Sequence, residues 1–312
     1  MRVLVTGGAG FIGSHFVDRF VSEGHEVWAL DNLSSGSRDN LHPKAGFLHL
    51  DLQDPRTATE VGRLRPEAVF HLAAQIDVRV SCADPVRDAS ENILATLRLI
   101  EAGLASGMAW FGFASSGGAI YGEADSPQSE SHPEQPLNPY GVAKLSVDKY
   151  LYAYRAQRGL AAASLRFANV YGPRQGAKGE AGVVAVFAKR LRDGQPPRIN
   201  GDGLQTRDFI FAPDLAEAAS TVLARRATGV YNLGTGRETR VLDLARSLCA
   251  AAGFDPAAVE HAPAIPGEQR RSVLDPGKAG RELGWSARTT LEQGLPSTYR
   301  WFREHRESEA RP

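Results

Sequence analysis

The stretch Val3-Leu4-Val5-Thr6-Gly7-Gly8-Ala9-Gly10-Phe11-Ile12-Gly13 limits what this chain can fold into more than any other. A short β-type apolar run enters a glycine-rich turn. Apolar residues at Phe11, Ile12, Phe16 and Phe20 then recur with helical spacing. Gly8, Gly10 and Gly13 fit G-x-G-x-x-G, and Gly7, Gly10 and Gly13 fit the looser G-x-x-G-x-x-G. Strand, glycine turn and helix together form the context of a dinucleotide fingerprint. Side chains at Gly7 or Gly10 would keep a pyrophosphate off the backbone. Gly13 lets helix and strand pack closely, and the helix N-terminus offers unpaired N–H groups and a positive dipole end.

The motif alone is weak, because glycine-rich βα turns are common. The next apolar run, Glu26-Val27-Trp28-Ala29-Leu30, strengthens it by ending in Asp31, eighteen residues beyond Gly13. That is close to the spacing at which an acid accepts hydrogen bonds from an adenosine ribose. A carboxylate there repels a 2′-phosphate and favours NAD over NADP. The bland alternative for Asp31, a turn residue before Asn32, loses to the upstream glycines.

Composition excludes several classes. At 312 residues, with 42% hydrophobic and 23% charged residues, the chain has the make-up of an ordinary globular protein and can bury a large core. Thirty-six acidic and 36 basic residues leave a net charge of +0, so no overall field draws it to nucleic acid or membrane. Cys82 and Cys249 stand in no metal-ligand or C-x-x-C spacing, and the eight histidines are scattered, so no metal site is indicated. No apolar stretch is long enough to span a bilayer. The N-terminus begins at once with a core strand, leaving no room for a signal peptide, and a cytoplasmic location is expected.

Strands and helices alternate through the first half. Phe47 to Leu50, ending at Asp51, reads as a strand, as do Ala68 to Leu72, followed by Ala73-Ala74, and Trp110 to Ser115. One helix is expected from about Asp84 to Ala105, and another from near Pro139. This order predicts an α/β, doubly wound parallel sheet of Rossmann type, with ligands at the carboxyl ends of the strands. Asp31, Asp51, Ala73-Ala74 and Ser115-Ser116 all fall at such ends. The second half is less regular. Ala162 to Phe167 reads as a sixth strand, Thr206 to Phe211 as another, and Gly182–Arg192, Pro213–Arg225, Val241–Ala252 and Leu291–Phe302 as helices. The expected division is an NAD-binding domain over 1–169, with the chain returning to it at about 207–233. Residues 170–206 and 234–312 are expected to form a smaller α/β substrate lobe.

Tyr140-Gly141-Val142-Ala143-Lys144 is the sharpest chemical feature after the glycines. Positions i and i+4 share a helix face, so a phenol and an ammonium meet. A tyrosine is a poor base at neutral pH. A nearby lysine and a positive nicotinamide ring would draw its pKa toward working pH. The lysine could also bond the nicotinamide ribose.

Thr6 to Gly13, His71-Leu72-Ala73-Ala74, Tyr140-x-x-x-Lys144 and Arg207-Asp208-Phe209-Ile210 together resemble the extended short-chain dehydrogenase/reductase family. Asn138-Pro139-Tyr140-Gly141, Leu165-Arg166-Phe167-x-Asn169-Val170-Tyr171-Gly172-Pro173-Arg174 and Pro266-Gly267-Glu268 narrow the resemblance to nucleotide-sugar epimerases and dehydratases. It runs from Met1 to about Trp301.

The resemblance implies a cofactor site of Gly7, Gly10, Phe11, Ile12 and Gly13 on the pyrophosphate. Asp31, Asn32, Ser35 and Gly36 would lie near the adenosine ribose and Asp51 and Leu52 at the adenine. Leu72, Ala73, Ala74, Gln75 and Phe167 would pass beside the cofactor, with Tyr140 and Lys144 at its reactive end. It implies that Tyr140 is the catalytic acid and base, with Lys144 its partner. Asn169 and Arg207 would hold a substrate diphosphate, Glu268 would reach the substrate ribose, and Val183 and Asn200 would complete the substrate site.

Two departures stand out. The family's Ser or Thr four residues before the tyrosine of Ile120-Tyr121-Gly122 is Gly117 here. Ser116 is the first replacement, as a catalytic and substrate-touching hydroxyl, then Ser115, then bound water. The family's arginine before Pro-Gly-Asp/Glu is Ile265, which leaves Arg270 or, as our choice, Arg271 for the phosphate.

The implied reaction is inversion at C4 of a UDP-hexose such as UDP-glucose or UDP-galactose, through a 4-keto sugar, with NAD retained. A 4-epimerase of UDP-xylose, UDP-glucuronate or a UDP-N-acetylhexosamine is the neighbouring alternative. A 4,6-dehydratase needs a further acid–base pair where this chain has Gly118-Ala119. A catalytically silent NAD-binding regulator would need no Tyr140–Lys144 pair. By analogy with relatives, a homodimer through a four-helix bundle of helices 84–105 and 139–157 is expected.

Overall fold

The computed structural model describes residues 1–124, 127–176, 182–265 and 269–305. Its first half contains β1 (Arg2–Thr6), α1 (Phe11–Ser22), β2 (Glu26–Asp31), β3 (Gly46–His49), α2 (Arg56–Leu64) and β4 (Ala68–His71). There follow α3 (Val78–Ala83), α4 (Pro85–Ala89), a π-helical turn (Ser90–Leu94), α5 (Ala95–Ala105), β5 (Trp110–Ser116), α6 (Gly117–Ile120), α7 (Pro139–Arg158) and β6 (Ala161–Phe167). The second half contains β7 (Asn169–Tyr171), α8 (Val183–Arg192), β8 (Arg198–Asn200), β9 (Thr206–Arg207), β10 (Phe209–Phe211), α9 (Ala212–Ala224) and β11 (Gly229–Leu233). After them come β12 (Thr239–Arg240), α10 (Val241–Ala252), β13 (Glu260–Ala262), β14 (Arg271–Ser272), α11 (Gly277–Leu283) and α12 (Leu291–Glu304).

Seven strands form one parallel sheet in the order β11-β6-β5-β4-β1-β2-β3. The order reverses between β1 and β4, which is the crevice where doubly wound sheets bind ligands. Helices cover both faces. On one, Phe16 and Phe20 of α1, Leu215 and Val222 of α9 and Leu283 of α11 bury Val3, Val5, Phe70 and Leu165. On the other, Val61, Leu99, Ile100, Val147 and Leu151 bury Leu4, Val69, Phe111 and Phe113. A further cluster, with Tyr171, Phe187, Leu191, Leu244, Leu248, Leu295 and Phe302, gathers α8, α10 and α12. The rule behind the sheet is local: fully apolar strand runs need helices on both sides.

The glycine turn is built by contact, not only by conformation. Gly7 adopts φ +68°, and a Cβ there would lie 2.7 Å from the Ala73 nitrogen. A Cβ on Gly13 would sit 2.0 Å from the Gly7 carbonyl oxygen, closer than any atom pair permits. So α1 can press onto the end of β1 only with glycine at 13.

The structure refines one sequence expectation and corrects another. The helix expected from Asp84 to Ala105 runs through α4, the π-helical turn and α5, with helical backbone at Ala89 and Ala95, and the turn inserts an extra residue into the helical period. Within it Asn92 is buried and Leu94 is 47% exposed. The strand expected over Thr206 to Phe211 is split at Asp208. That carboxylate turns inward to accept from the Thr235 nitrogen (3.0 Å), the Thr235 hydroxyl (2.6 Å) and the Gly236 nitrogen (3.1 Å).

Gly13→Ala must separate α1 from the Gly7 carbonyl, an overpacking costing about 1–3 kcal/mol. Thermal unfolding should show a loss of several degrees, and bound NAD should be released more readily. A variant with unchanged Tm and cofactor retention would refute the contact.

Candidate active site

The carboxyl edge of the sheet gathers the residues that the sequence singled out. α1 begins at Gly10, which has no side chain to cap the first-turn N–H groups. Those groups and the bare backbone of Gly7 and Gly10 form an anion cradle, with Phe11 and Ile12 opening the helix. Asp31 ends β2. Its Oδ2 accepts from the Ala9 nitrogen (3.1 Å) and its Oδ1 from the Leu33 nitrogen (2.8 Å). The carboxylate therefore sits against the glycine turn, where it disfavours a second phosphate. The Ser37 nitrogen donates to the Ala9 carbonyl, folding the Ser35-Gly36 segment against the same turn. Asn32 Nδ2 donates to Asp51 Oδ2 at 2.7 Å, joining the ends of β2 and β3 just before Leu52. These features fit a dinucleotide that has a free adenosine ribose, as NAD has.

Leu72, Ala73 and Ala74 follow β4 and run past Gly7. Gln75 is placed by the π-helical turn: its nitrogen donates to Asn92 Oδ1 (2.9 Å), and Asn92 Nδ2 donates back to the Gln75 carbonyl (2.9 Å). The Gln75 side chain donates to Asp88 Oδ1, as does Asn92, each at 3.0 Å. Its side chain and both of its backbone polar groups are thus engaged by the helix. Phe167, at the end of β6, lies edge-on to Phe16 in the core.

Behind this loop lies an ordered proton chain. Thr96 Oγ1 donates to the Asn92 carbonyl at 2.7 Å, so it accepts from His71 Nε2 at 2.8 Å. His71 Nδ1, 2.7 Å from Thr6 Oγ1, is then the acceptor. His71 is buried and held in one neutral tautomer. Burial, with the Lys144 charge second, pulls its pKa from 6.5 to about 3.

α7 carries the reactive pair. Asn138 Oδ1 accepts from the Gly141 nitrogen at 2.9 Å and caps the helix, with Pro139 in its first turn. A Cβ on Gly141 would meet the Ala119 carbonyl at 2.4 Å, so α7 rides directly on α6. This seats Tyr140 near Ser116, whose hydroxyl favours the phenolate. Ser115 lies on the opposite side of the strand, toward Asp148. Lys144 is buried. Its Nζ donates to the Ala114 carbonyl (2.9 Å) and lies 4.7 Å from the Phe113 ring centroid and 5.7 Å from that of Tyr140.

Burial raises the Tyr140 phenol well above its ordinary value, the Asp88 carboxylate adds to this, and the Ser116 hydroxyl opposes both. Burial lowers Lys144 from 10.5 to about 8, against the carboxylates of Asp148 and Asp88.

On the far side of β6, the Asn169 nitrogen donates to the Asp208 carbonyl (2.9 Å), and β14 pairs Ser272 with Arg207. Asn169 and Arg207 therefore flank one residue. Arg271 bonds Glu238 (2.8 Å), and Arg270 bonds Asp202 (3.1 Å and 3.2 Å). Val183 opens α8, and Asn200, exposed, ends β8. Glu268 lies outside the described residues.

Sequence reasoning gave Asp88, Asn92 and Asp148 no role and quoted Arg166 only as part of a motif. Arg166, fully buried, donates through Nε (2.9 Å) and Nη2 (2.8 Å) to Asp148 Oδ2 and through Nη1 to the Tyr121 hydroxyl (2.8 Å). The available signal was polar residues at i and i+4, Asp88 with Asn92 and Lys144 with Asp148, on otherwise apolar helix faces.

A parallel seven-stranded sheet with a glycine turn, an acid at the end of β2 and a Tyr–Lys pair defines a nicotinamide-dependent enzyme of the short-chain dehydrogenase/reductase type. The chain belongs to the NAD dependent epimerase/dehydratase family, whose model matches residues 3–234. It is 41% identical over 310 residues to a UDP-glucose 4-epimerase of Mycolicibacterium smegmatis, covering 97% of this chain and 99% of that one. Among solved structures it is similar to UDP-glucose 4-epimerase with UDP-glucose from Thermotoga maritima (TM-score 0.94, 43% identity, 97% of this chain and 99% of that one). It is also similar to the Thermus thermophilus UDP-glucose 4-epimerase complex with NAD (TM-score 0.91, 42% identity, the same coverage). Among the described residues, no helix is long and apolar enough to cross a membrane.

The depressed pKa of His71 gives a signed prediction. The unfolded chain takes up a proton near pH 6.5 that the native state refuses down to about 3. The stability contributed is complete above 6.5 and is lost as pH falls toward 3, by up to about 1.4 kcal/mol per unit. Urea unfolding at pH 7 and pH 5 should show a larger loss for wild type than for His71→Asn. Equal losses would sink this reading.

Proposed function

We propose that the protein interconverts UDP-glucose and UDP-galactose by inverting C4, keeping NAD bound throughout. The observation that carries this is the hydroxyl pair Ser116–Tyr140, set against a buried lysine at the sheet edge that also holds the glycine cradle. NAD, when bound, supplies an acceptor for the C4 hydride and gives it back. Gly7, Gly10, Gly13 and Asp31 would hold it. Tyr140 accepts the proton of the C4 hydroxyl and returns it, with Ser116 between sugar and phenol. Asn169 and Arg207 hold the diphosphate, with Val183, Asn200, Glu268 and Arg271 around the rest of the nucleotide. Strong diphosphate contacts with a loosely held sugar let the 4-keto ring present either face.

Residues 1–169, with the return at about 207–233, would carry NAD, and 170–206 with 234–312 the sugar nucleotide. The separate apolar clusters of the sheet and of α8, α10 and α12 support this division. The two free cysteines and the nicotinamide cofactor support a cytoplasmic location.

The decisive assay is conversion of UDP-galactose to UDP-glucose with no added NAD. Tyr140→Phe should lower kcat by about 10²–10⁴-fold. Turnover within a few-fold of wild type would end the proposal, and binding without conversion by wild type would favour an NAD-binding regulator.

A homodimer is proposed through α7 and the helical segments beside it. Val86 (79% exposed), Leu94, Val142 (49%) and Tyr150 leave apolar surface there. Sedimentation should give twice the chain mass, and Val142→Glu should give the chain mass alone. A monomeric wild type would exclude this assembly.

A further inference from the structure

At the end of β5, position 117 is closed to side chains. Gly117 is buried, and a Cβ there would lie 2.5 Å and 2.6 Å from the two methyl carbons of Leu274 and 3.1 Å from its Cγ. With Cγ also inside contact distance, rotating the methyls away relieves only part of the clash. Leu274 is itself 1% exposed and packed with Ile120, Tyr121, Leu145 and Ala168. Its backbone is bolted in place. The Gln128 nitrogen donates to the Val273 carbonyl (2.9 Å), and the Asp275 nitrogen to the Gln128 carbonyl (2.8 Å), around the Gln128–Leu274 bridge. The next position is open: a Cβ on Gly118 would meet only the Ser272 hydroxyl, at 3.8 Å.

We propose that Leu274 is a positioning residue that fills the space of a side chain at 117 and so makes Ser116 the hydroxyl that works with Tyr140. The inference rests on the C4 epimerisation proposed above. With Tyr140 as the phenolate, the hydroxyl proton of the sugar would pass to Ser116 Oγ as the proton of Ser116 passes to the Tyr140 oxygen, and the C4 hydride would go to the NAD that the proposed reaction already requires. The choice of hydroxyl is thus made by a leucine 158 residues away in sequence.

The test moves the hydroxyl by one residue. Ser116→Ala should lower kcat by about 10²-fold or more with little change in KM. Adding Gly117→Ser should restore nothing while Leu274 is present. Adding Leu274→Ala as well should recover at least tenfold in kcat, which a purely structural role for Leu274 would not produce. Leu274→Val is made in parallel, so that failure of one variant to fold leaves the other to decide. Full activity of Ser116→Ala, recovery in Ser116→Ala/Gly117→Ser with Leu274 intact, or no recovery in a folded triple variant would each overturn the proposal. Thermal unfolding separates this from the proposed reaction. Gly117→Ser should lower Tm in wild type but not in the Leu274→Ala background, and that cycle holds even if wild type converts no UDP-sugar. Equal Tm losses in both backgrounds would overturn it.

Discussion

The site turns on one buried ammonium. Taking Lys144 out of water is costly, and it persists as a cation because the Ala114 carbonyl, the Phe113 ring face and the fields of Asp88 and Asp148 replace part of its hydration. These supports come from β5 and from helices on either side of it, so the charge fixes α7 against the sheet. Tyr140 is one turn earlier on the same helix. Its placement beside Ser116 follows from the seating of Lys144 and from the bare backbone of Gly141. The burial that lowers the lysine raises the phenol. The Ser116 hydroxyl is the neighbour that favours the phenolate.

The polar wiring behind the crevice serves the same end. A neutral histidine, two threonines and an asparagine form a directed chain from the end of β1 to the π-helical turn. Each member has a settled donor or acceptor role, which is what a buried network needs to be rigid. Its far end, Asn92, grips both backbone polar groups of Gln75 and so holds the loop that Gly7 abuts. A π-turn costs helix regularity. Here it aims an amide at a strand-end loop, in keeping with the frequent placement of such turns at functional sites.

What the sequence revealed was local, and what it concealed was not. The glycine turn, Asp31 and the Tyr140–Lys144 pair are readable because spacing along one strand or helix determines their geometry. The sheet followed from the alternation of apolar runs. The π-turn was hidden because one added residue changes no composition. Asp208 was hidden inside a strand-like run because its partners, Thr235 and Gly236, are 27 and 28 residues away. The replacement of the family's hydroxyl at 117 was visible, but the choice among Ser116, Ser115 and water was not. It depends on which face of β5 meets α7 and on where Leu274 arrives.

The substrate side shows how such distant contacts become a site. Arg207 belongs to β9, Asn169 to β7 and Ser272 to β14, and none is near another in sequence. Asp208 joins them by turning its carboxylate inward, breaking the strand, while its carbonyl accepts from Asn169 and its nitrogen donates to the Ser272 carbonyl. Burial raises the pKa of the Asp208 carboxyl, and its bonds from Thr235 and Gly236 oppose that shift. Arg207 lies next to it and Arg271 is engaged by Glu238, so positive charge around the nucleotide is distributed by acids that the fold has already placed. An anionic diphosphate entering this region would complete the network by competing for guanidinium groups.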